Sequence, residues 1–436
     1  MRQSLYNTLY SYPREGALRT QPTQTMSQTE NRSKAALVLP GGGARGAFQV
    51  GVLKAVAELL PRGVPNPFPV ISGTSAGAVN SVVLASRARH FRSAVAELEN
   101  VWGHFRCHHV YKTDNLTMLK SSLQWLLSIV SGGWIVDAPR SLLDNAPLRS
   151  LLNSNVHFPR IEDSLNDGYV DAVAVTAAGY DSARSTSFFE AVAEQRSWER
   201  TRRIGRRCEL NLDHVMASIA VPMVFPPVRI GNEFFGDGAM RQATPLSPAV
   251  HLGADRILVI GIRDETGDQT PDSGPEAPSF AQIAGYMLDT LFMDGLYSDL
   301  ERITRINQLI DTIPADETPA SVANMRAIDT MLVVPSEDLR VIAHKHRKEL
   351  PFAIRALLRG VGGSNPGENR LLSFLLFEKA YTRELIKLGY HDAMKVKDEL
   401  LDFVTGAPVP RLFAPSWIKK DLSAFSAATG DELQEE

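Results

Sequence analysis

The chain has 436 residues, 44% hydrophobic and 22% charged, which fits an ordinary globular protein with a large core and not a fibrous or disordered one. Its 46 Lys+Arg against 49 Asp+Glu leave a net charge of −3, so no global basic field argues for nucleic acid. Two cysteines, Cys107 and Cys208, exclude a disulfide framework. No run approaches about eighteen apolar residues and the N-terminus lacks a secretory apolar core, so the sequence reads as a cytoplasmic protein without a transmembrane helix.

Residues 1–33 are polar, show no hydrophobic period and read as a disordered tail. Order begins at Ala35–Leu39, a compact apolar run suited to a buried strand. Gly41-Gly42-Gly43-Ala44-Arg45-Gly46 follows at once, and Ala47, Val50, Val52, Leu53, Val56, Leu59 and Leu60 then mark one apolar helix face. Pro69-Val70-Ile71 ends a second short strand, Gly73-Thr74-Ser75-Ala76-Gly77 turns, and residues 76–85 continue as a buried helix of small side chains. Further buried strands are predicted at Val170–Thr176, Ile257–Ile262 and Met331–Val334. The alternation predicts an α/β layered fold around a largely parallel sheet.

Residues 264–279 hold three prolines, two glycines and five acids, the composition of a mobile loop or linker. Beyond it Ile283, Met287, Leu291 and Leu296 start a long helix, and residues 337–408 read almost wholly helical. The expected organisation is a catalytic domain over 34–263, a mainly helical extension over 280–410 packed on it, and a C-terminal tail over 411–436.

Three glycine-marked sites carry the chemistry. Gly73-x-Ser75-x-Gly77 between a strand and a helix is the pattern of a nucleophile elbow, which lifts a hydroxyl clear of the backbone. GGGARG fits a dinucleotide turn, G-x-G-x-x-G, although Glu58 is poorly placed for the acid that a nucleotide fold wants. It also fits an oxyanion hole, consecutive backbone N–H groups aimed at developing negative charge, with Arg45 as a nearby cation. Asp237-Gly238-Ala239 follows a hairpin predicted at Gly231-Asn232. Downstream histidines that could complete a Ser-Asp-His triad are His214, His251, His344, His346 and His391, none in a telling context.

In this order and spacing, LVLPGGGARGAFQVGVLKAV, GTSAG and DGA resemble the patatin-like phospholipases, as does Met216–Pro227 ahead of the DGA. The resemblance covers roughly residues 35–262, and residues 371–378 with 388–390 more weakly resemble the helical extension of bacterial members. It implies a three-layer α/β fold and lipid acyl ester hydrolysis through a dyad of Ser75 and Asp237. It also implies an oxyanion hole of Gly41, Gly42 and Gly43 supported by Arg45, and neither metal nor organic cofactor. Pro40 stands where plant patatins have Asp. The alternatives are an α/β-hydrolase-type esterase with a triad, and a nucleotide-binding or silent scaffold using the glycine loop.

Three further features bear on partners. His104 and His108 lie four apart beside Cys107, a spacing able to hold zinc on one helix face, but no second pair exists and surface histidines are the favoured reading. Arg196, Arg200, Arg202, Arg203, Arg206 and Arg207 surround Trp198, either as a solvated loop paired with acids or as a patch for anionic lipid headgroups. Leu123–Val136, with Trp125 and Trp134, is either core or a lipid-facing flap. A lipid substrate and a peripheral membrane surface are the expected partners; nothing supports nucleic acid.

Overall fold

Leu37 and Leu39 of the first strand, β1 (Ala35–Leu39), belong to one hydrophobic core, while Ala36 and Val38, which alternate with them, belong to a second. Such a strand is buried on both faces, which is why its sequence is a continuous apolar run and not an alternating one. In the same way Leu258 and Ile260 of β9 (Arg256–Ile260) face the first core, and Ile257 and Val259 the second. The computed structural model describes residues 33–113, 141–263, 279–313, 325–360 and 368–418.

The other strands are β2 (Val70–Thr74), β3 (Ala172–Gly179), β4 (Ser185–Ala191), β5 (Trp198–Arg200), β6 (Arg203–Arg207), β7 (Val228–Ile230), β8 (Glu233–Asp237), β10 (Asp329–Val333) and β11 (Leu412–Phe413). They form one sheet ordered β11-β10-β9-β1-β2-β3-β4-β6-β5, with β8 paired to both β3 and β7. The centre, from β11 to β3, is parallel. The pairs β3–β4, β3–β8, β5–β6 and β7–β8 are antiparallel. The α/β layered fold expected from the sequence is therefore present.

One face is covered by α1 (Ala47–Leu59), α2 (Ala76–Ser86), α3 (Phe91–Gly103), α4 (Leu212–Ile219) and residues of the C-terminal region. The other is covered mainly by α5 (Phe280–Thr312), through Leu288, Phe292, Leu296, Leu300 and Ile303. Helices α6 (Glu368–Leu375) and α7 (Lys379–Lys395) lead the C-terminal region, and α7 packs along α1. Among the described residues no helix is long and apolar enough to cross a membrane.

Two expectations change. Residues 411–413, assigned to a tail, instead extend the sheet: Leu412 pairs with Thr330, and Arg411 bonds Asp311 and Asp329. The region beyond residue 279 thus adds strands β10 and β11 to the sheet as well as helices. Residues 198–207, read as a loop or patch, are an edge hairpin of β5 and β6, stacked through Trp198 on Phe189 and His251. Polar and charged side chains suit a sheet edge, where they oppose pairing with another chain. The stretch Leu123–Val136, most of the N-terminal tail and residues 264–278 lie outside the described residues.

Candidate active site

Strand β3 sets the spacing of the site. In the register of β2 with β3, Thr74 lies opposite Thr176; in that of β8 with β3, Asp237 lies opposite the next residue, Ala177. β2 therefore ends, and Ser75 leaves it, beside the point where β8 delivers Asp237. Two residues far apart in sequence meet because both strands read the same ruler.

Ser75 sits at the strand-to-helix turn with φ 53° and ψ −124°, outside the ordinary regions for a residue with a Cβ. Such a conformation costs about 1–3 kcal/mol and persists only when its surroundings enforce it. Here the Ser75 N–H donates to Ser218 Oγ (2.8 Å), and the Ser218 hydroxyl donates to the Thr176 carbonyl (2.6 Å). Gly73 lies within β2 and Gly77 in the first turn of α2, so the pentapeptide is an elbow in fact as well as in pattern.

Asp237 ends β8 and caps the 3-10 turn Gly238–Met240, its Oδ1 accepting from the Ala239 N–H at 2.9 Å. The residue is 1% exposed, and Oδ2 has no hydrogen-bond partner among the described residues. Burial pushes its carboxyl up to about 7, partly offset by the nearby Ser75 side chain and the Ala239 amide, which favour the ionised form. A carboxyl titrating near neutrality is a competent proton acceptor at physiological pH.

Gly41 and Gly42 follow β1, and Gly43–Gly46 form a 3-10 turn leading into α1. A Cβ on Gly41 would lie 2.8 Å from the Ser75 Cβ and 2.6 Å from the Phe292 ring, so only glycine lets this loop approach the serine. Gly43 adopts φ +54°, and the Phe374 carbonyl stands where a Cβ would go. Gln49 donates to the Pro40 carbonyl (2.8 Å), Asn80 donates to Gln49 Oε1 (3.0 Å), and Trp102 donates to Asn80 Oδ1 (2.9 Å). This buried chain fixes the loop against α1, α2 and α3.

Arg45 takes a part that the sequence did not reveal. Its guanidinium is 2% exposed, pairs with Asp289 Oδ1 at 2.9 Å, donates twice to Ser373 Oγ (3.0 and 2.7 Å) and lies over the Phe374 ring. The expected cation beside the reacting centre is thus neutralised by a carboxylate, and its contacts clamp α5 and α6 to the glycine loop.

The histidines lie elsewhere. Buried His214 accepts from the Asn211 N–H and packs on Phe188, and burial lowers its pKa to about 4. His251 stacks on Trp198 and bonds the Ser247 carbonyl. His346 is held by Glu349 and Glu384, His344 meets Arg347, and His391 is exposed on α7. His104 ends α3 with Nδ1 on the Asn100 carbonyl; His108 belongs to the next short helix, so the two share no helix face. Burial pushes the Cys107 thiol up to about 12, against a thiolate ligand.

Ser75 lines a pocket whose walls are otherwise almost wholly apolar, with Trp102, Phe105, Phe225, Phe292, Phe374 and Phe377 among them. Thr176 and Asp289 help build the site and carry no motif signal. Gln242, whose Oε1 accepts from Thr74 Oγ1 at 2.5 Å, is another. Ser218 had a trace in the sequence, as part of the Met216–Pro227 stretch.

The family model described as patatin-like phospholipase matches residues 37–250. No curated protein matches the chain. Among solved structures, VipD from Legionella pneumophila is similar at 14% identity over 91% of this chain and 74% of its own, with a TM-score of 0.32. Human GIVD cytosolic phospholipase A2, in complex with methyl gamma-linolenyl fluorophosphonate, is similar at 13% identity over 87% of this chain and 60% of its own, TM-score 0.39. ExoU of Pseudomonas aeruginosa, in complex with SpcU, is similar at 13% identity over 84% of this chain and 79% of its own, TM-score 0.24. With elbow, buried aspartate and glycine loop all inside the matched span, residues 37–250 are a patatin-like phospholipase domain.

Proposed function

We propose that the chain is a serine hydrolase of lipid acyl esters working through a Ser75–Asp237 dyad. The observation that carries this reading is a strained serine elbow lining an apolar pocket, beside a buried aspartate with one oxygen unpartnered among the described residues. Ser75 Oγ attacks the ester carbonyl while Asp237 takes its proton. The backbone N–H groups of Gly41, Gly42 and Gly43 hold the oxyanion, each such donor contributing about 3 kcal/mol of barrier lowering. The alcohol departs with the proton from Asp237, leaving an acyl-serine. Asp237 then deprotonates water, which attacks the acyl carbonyl; the bond to Ser75 Oγ breaks, Oγ takes the proton back from Asp237, and the fatty acid is released. No tautomer needs orienting, so the base requires no third residue.

The pocket gives an acyl chain an aromatic-lined channel, each buried methylene contributing about 0.8 kcal/mol. Ile283, Tyr286 and Met287, in the first turns of α5 and on a different face from the pocket-lining Leu288 and Phe292, are 46%, 60% and 59% exposed. That exposed apolar face of α5 and the arginine hairpin suit a peripheral encounter with an anionic bilayer from the cytoplasmic side. Of the arginines, Arg207 bonds the carbonyls of Ala191, Ala193 and Gln195, and Arg203 bonds Thr244, so these two hold the hairpin itself.

The test is labelling of Ser75 by a fluorophosphonate together with fatty acid release from a panel of phospholipids and lysophospholipids. The wild type should label and turn over, and Ser75→Ala should do neither while keeping its fold. Full turnover by a folded Ser75→Ala protein would falsify the reading.

A further inference from the structure

Four aromatic rings interlock at one wall of the apolar pocket that Ser75 lines. Trp102 borders the serine turn: a Cβ on Gly46 would lie 2.9 Å from the Ala76 Cβ and 3.1 Å from the Trp102 ring. Phe105 meets Trp102 edge to face with ring centroids 5.0 Å apart. Phe377 packs on both, 6.4 Å from Trp102 and 6.0 Å from Phe105. Tyr111 backs Phe377 at 6.4 Å, is wholly buried, and is not among the described residues that line the pocket. Phe377 therefore cannot swing away from the pocket without displacing a second ring.

Hydrogen bonds pin this wall on both sides. Trp102 Nε1 donates to Asn80 Oδ1 (2.9 Å), which ties it to the buried chain that fixes the glycine loop. The Trp102 carbonyl accepts from Thr382 Oγ1 (2.7 Å), the Tyr111 hydroxyl donates to the Leu375 carbonyl (2.9 Å), and the Cys107 N–H donates to Glu378 Oε1 (3.1 Å). These three bonds join residues 102–111 to the segment from α6 to α7, which carries Phe377. A close-packed wall of this kind resists even one added methylene, because its rings would have to leave their rotamers.

The space in front of the wall is small. The volume open to the centre of a water molecule is about 50 Å³. At ~10–15 Å³ for each water, that is room for about three to five, and so for about as many carbons beyond an ester carbonyl.

We propose that Trp102, Phe105 and Phe377 form a stop that limits the acyl half of the substrate to short and medium chains, about four to six carbons long. The stop is not a property of the matched domain alone, because Phe377 lies beyond residues 37–250. The proposal rests on the ester-hydrolase reading of Ser75, and adds which acyl groups that serine accepts.

The experiment measures kcat/KM for p-nitrophenyl acetate, butyrate, hexanoate, octanoate and decanoate, each kept monomeric. In the wild type the value should peak at butyrate or hexanoate. It should fall at least about tenfold by decanoate, the lower end of what one misfitting methylene does in an apolar pocket. Phe377→Ala and, separately, Phe105→Ala should raise the decanoate-to-butyrate ratio at least about tenfold. The ratio is read within each protein, so a general loss of activity does not enter it. Phe352→Ala, which removes an exposed ring that does not line the pocket, should leave the ratio where it is. Should the Ala variants not fold, Phe377→Leu should move the ratio the same way by a smaller factor. A wild-type series still flat or rising at decanoate, with Ser75 labelled by a fluorophosphonate, overturns the stop and leaves the hydrolase reading standing. A short-chain peak that no folded variant of Phe105 or Phe377 moves also overturns it, since the limit then lies elsewhere. Absence of all hydrolysis and of Ser75 labelling overturns the hydrolase reading and the stop with it.

Discussion

The Ser75 N–H is held by Ser218 Oγ at 2.8 Å, and Ser218 in turn is anchored on the Thr176 carbonyl of β3. A helix residue thereby ties the strained elbow to the strand that also positions Asp237. Ser218→Ala leaves the buried Ser75 N–H without a partner, a loss of about 1–3 kcal/mol. Chemical denaturation should show that loss, and kcat on p-nitrophenyl butyrate should fall at least several-fold as the elbow relaxes. An unchanged kcat in a destabilised protein would mean that the elbow holds its shape without Ser218.

Asp237 gives two pH predictions. As the base it must be ionised, so kcat/KM should fall below a midpoint near pH 7, the value to which burial pushes its carboxyl. Its folded-state pKa lies above the unfolded value of 3.8, so the fold binds the proton more tightly than the unfolded chain does. The stability this lends is present below the unfolded value and is lost as pH rises through the folded one. Asp237→Asn, which cannot ionise, should therefore gain stability relative to wild type at pH 8 but little at pH 4. Each tenfold difference in proton affinity between the folded and unfolded chain contributes about 1.4 kcal/mol to that gain. Urea melts of both proteins at the two pH values measure this difference.

Gly41→Ala places a methyl between the loop and Ser75. A Cβ there lies closer to the Ser75 Cβ and the Phe292 ring than real contacts allow, so the loop must withdraw. Displacing one oxyanion donor should cost about 100-fold or more in kcat. Pairing the change with Phe292→Leu relieves only the ring contact, so activity should stay low. Recovery in the double variant would make the ring, and not the serine, the limiting contact.

The Arg45–Asp289 pair is 2% and 6% exposed, and breaking such a pair from one side leaves a buried charge uncompensated. Asp289→Ala should cost about 3–5 kcal/mol, more than the removal of any exposed ion pair on this surface. Because Arg45 clamps α5 and α6 to the glycine loop, limited proteolysis should cut the C-terminal region faster in the variant. Undiminished stability would show that Ser373 and the Phe374 ring suffice to hold the guanidinium.

What the sequence determined by itself was local. A strand buried on both faces is a continuous apolar run wherever it sits, so Ala35–Leu39 and the stretches at β9 and β10 were readable. An elbow demands small residues around its serine, so Gly73-Thr74-Ser75-Ala76-Gly77 announced its own conformation. A hairpin turn needs a residue able to take positive φ, and Gly231 between β7 and β8 has φ +62°. The partnerships were decided only in three dimensions. That Asp237 meets Ser75 follows from two strands registering on β3, a long-range pairing with no signature in either segment. Arg45 looked like a free cation because Asp289 and Ser373 lie hundreds of residues away, and its neutralisation depends on α5 and α6 folding back onto the glycine loop. The arginines of 196–207 read as one linear cluster. The fold instead commits Arg203 and Arg207 to hairpin bonds and brings Arg241 and Arg302 from elsewhere into the groove that Arg200 and Arg202 line, because charge gathers by surface proximity and not by sequence order.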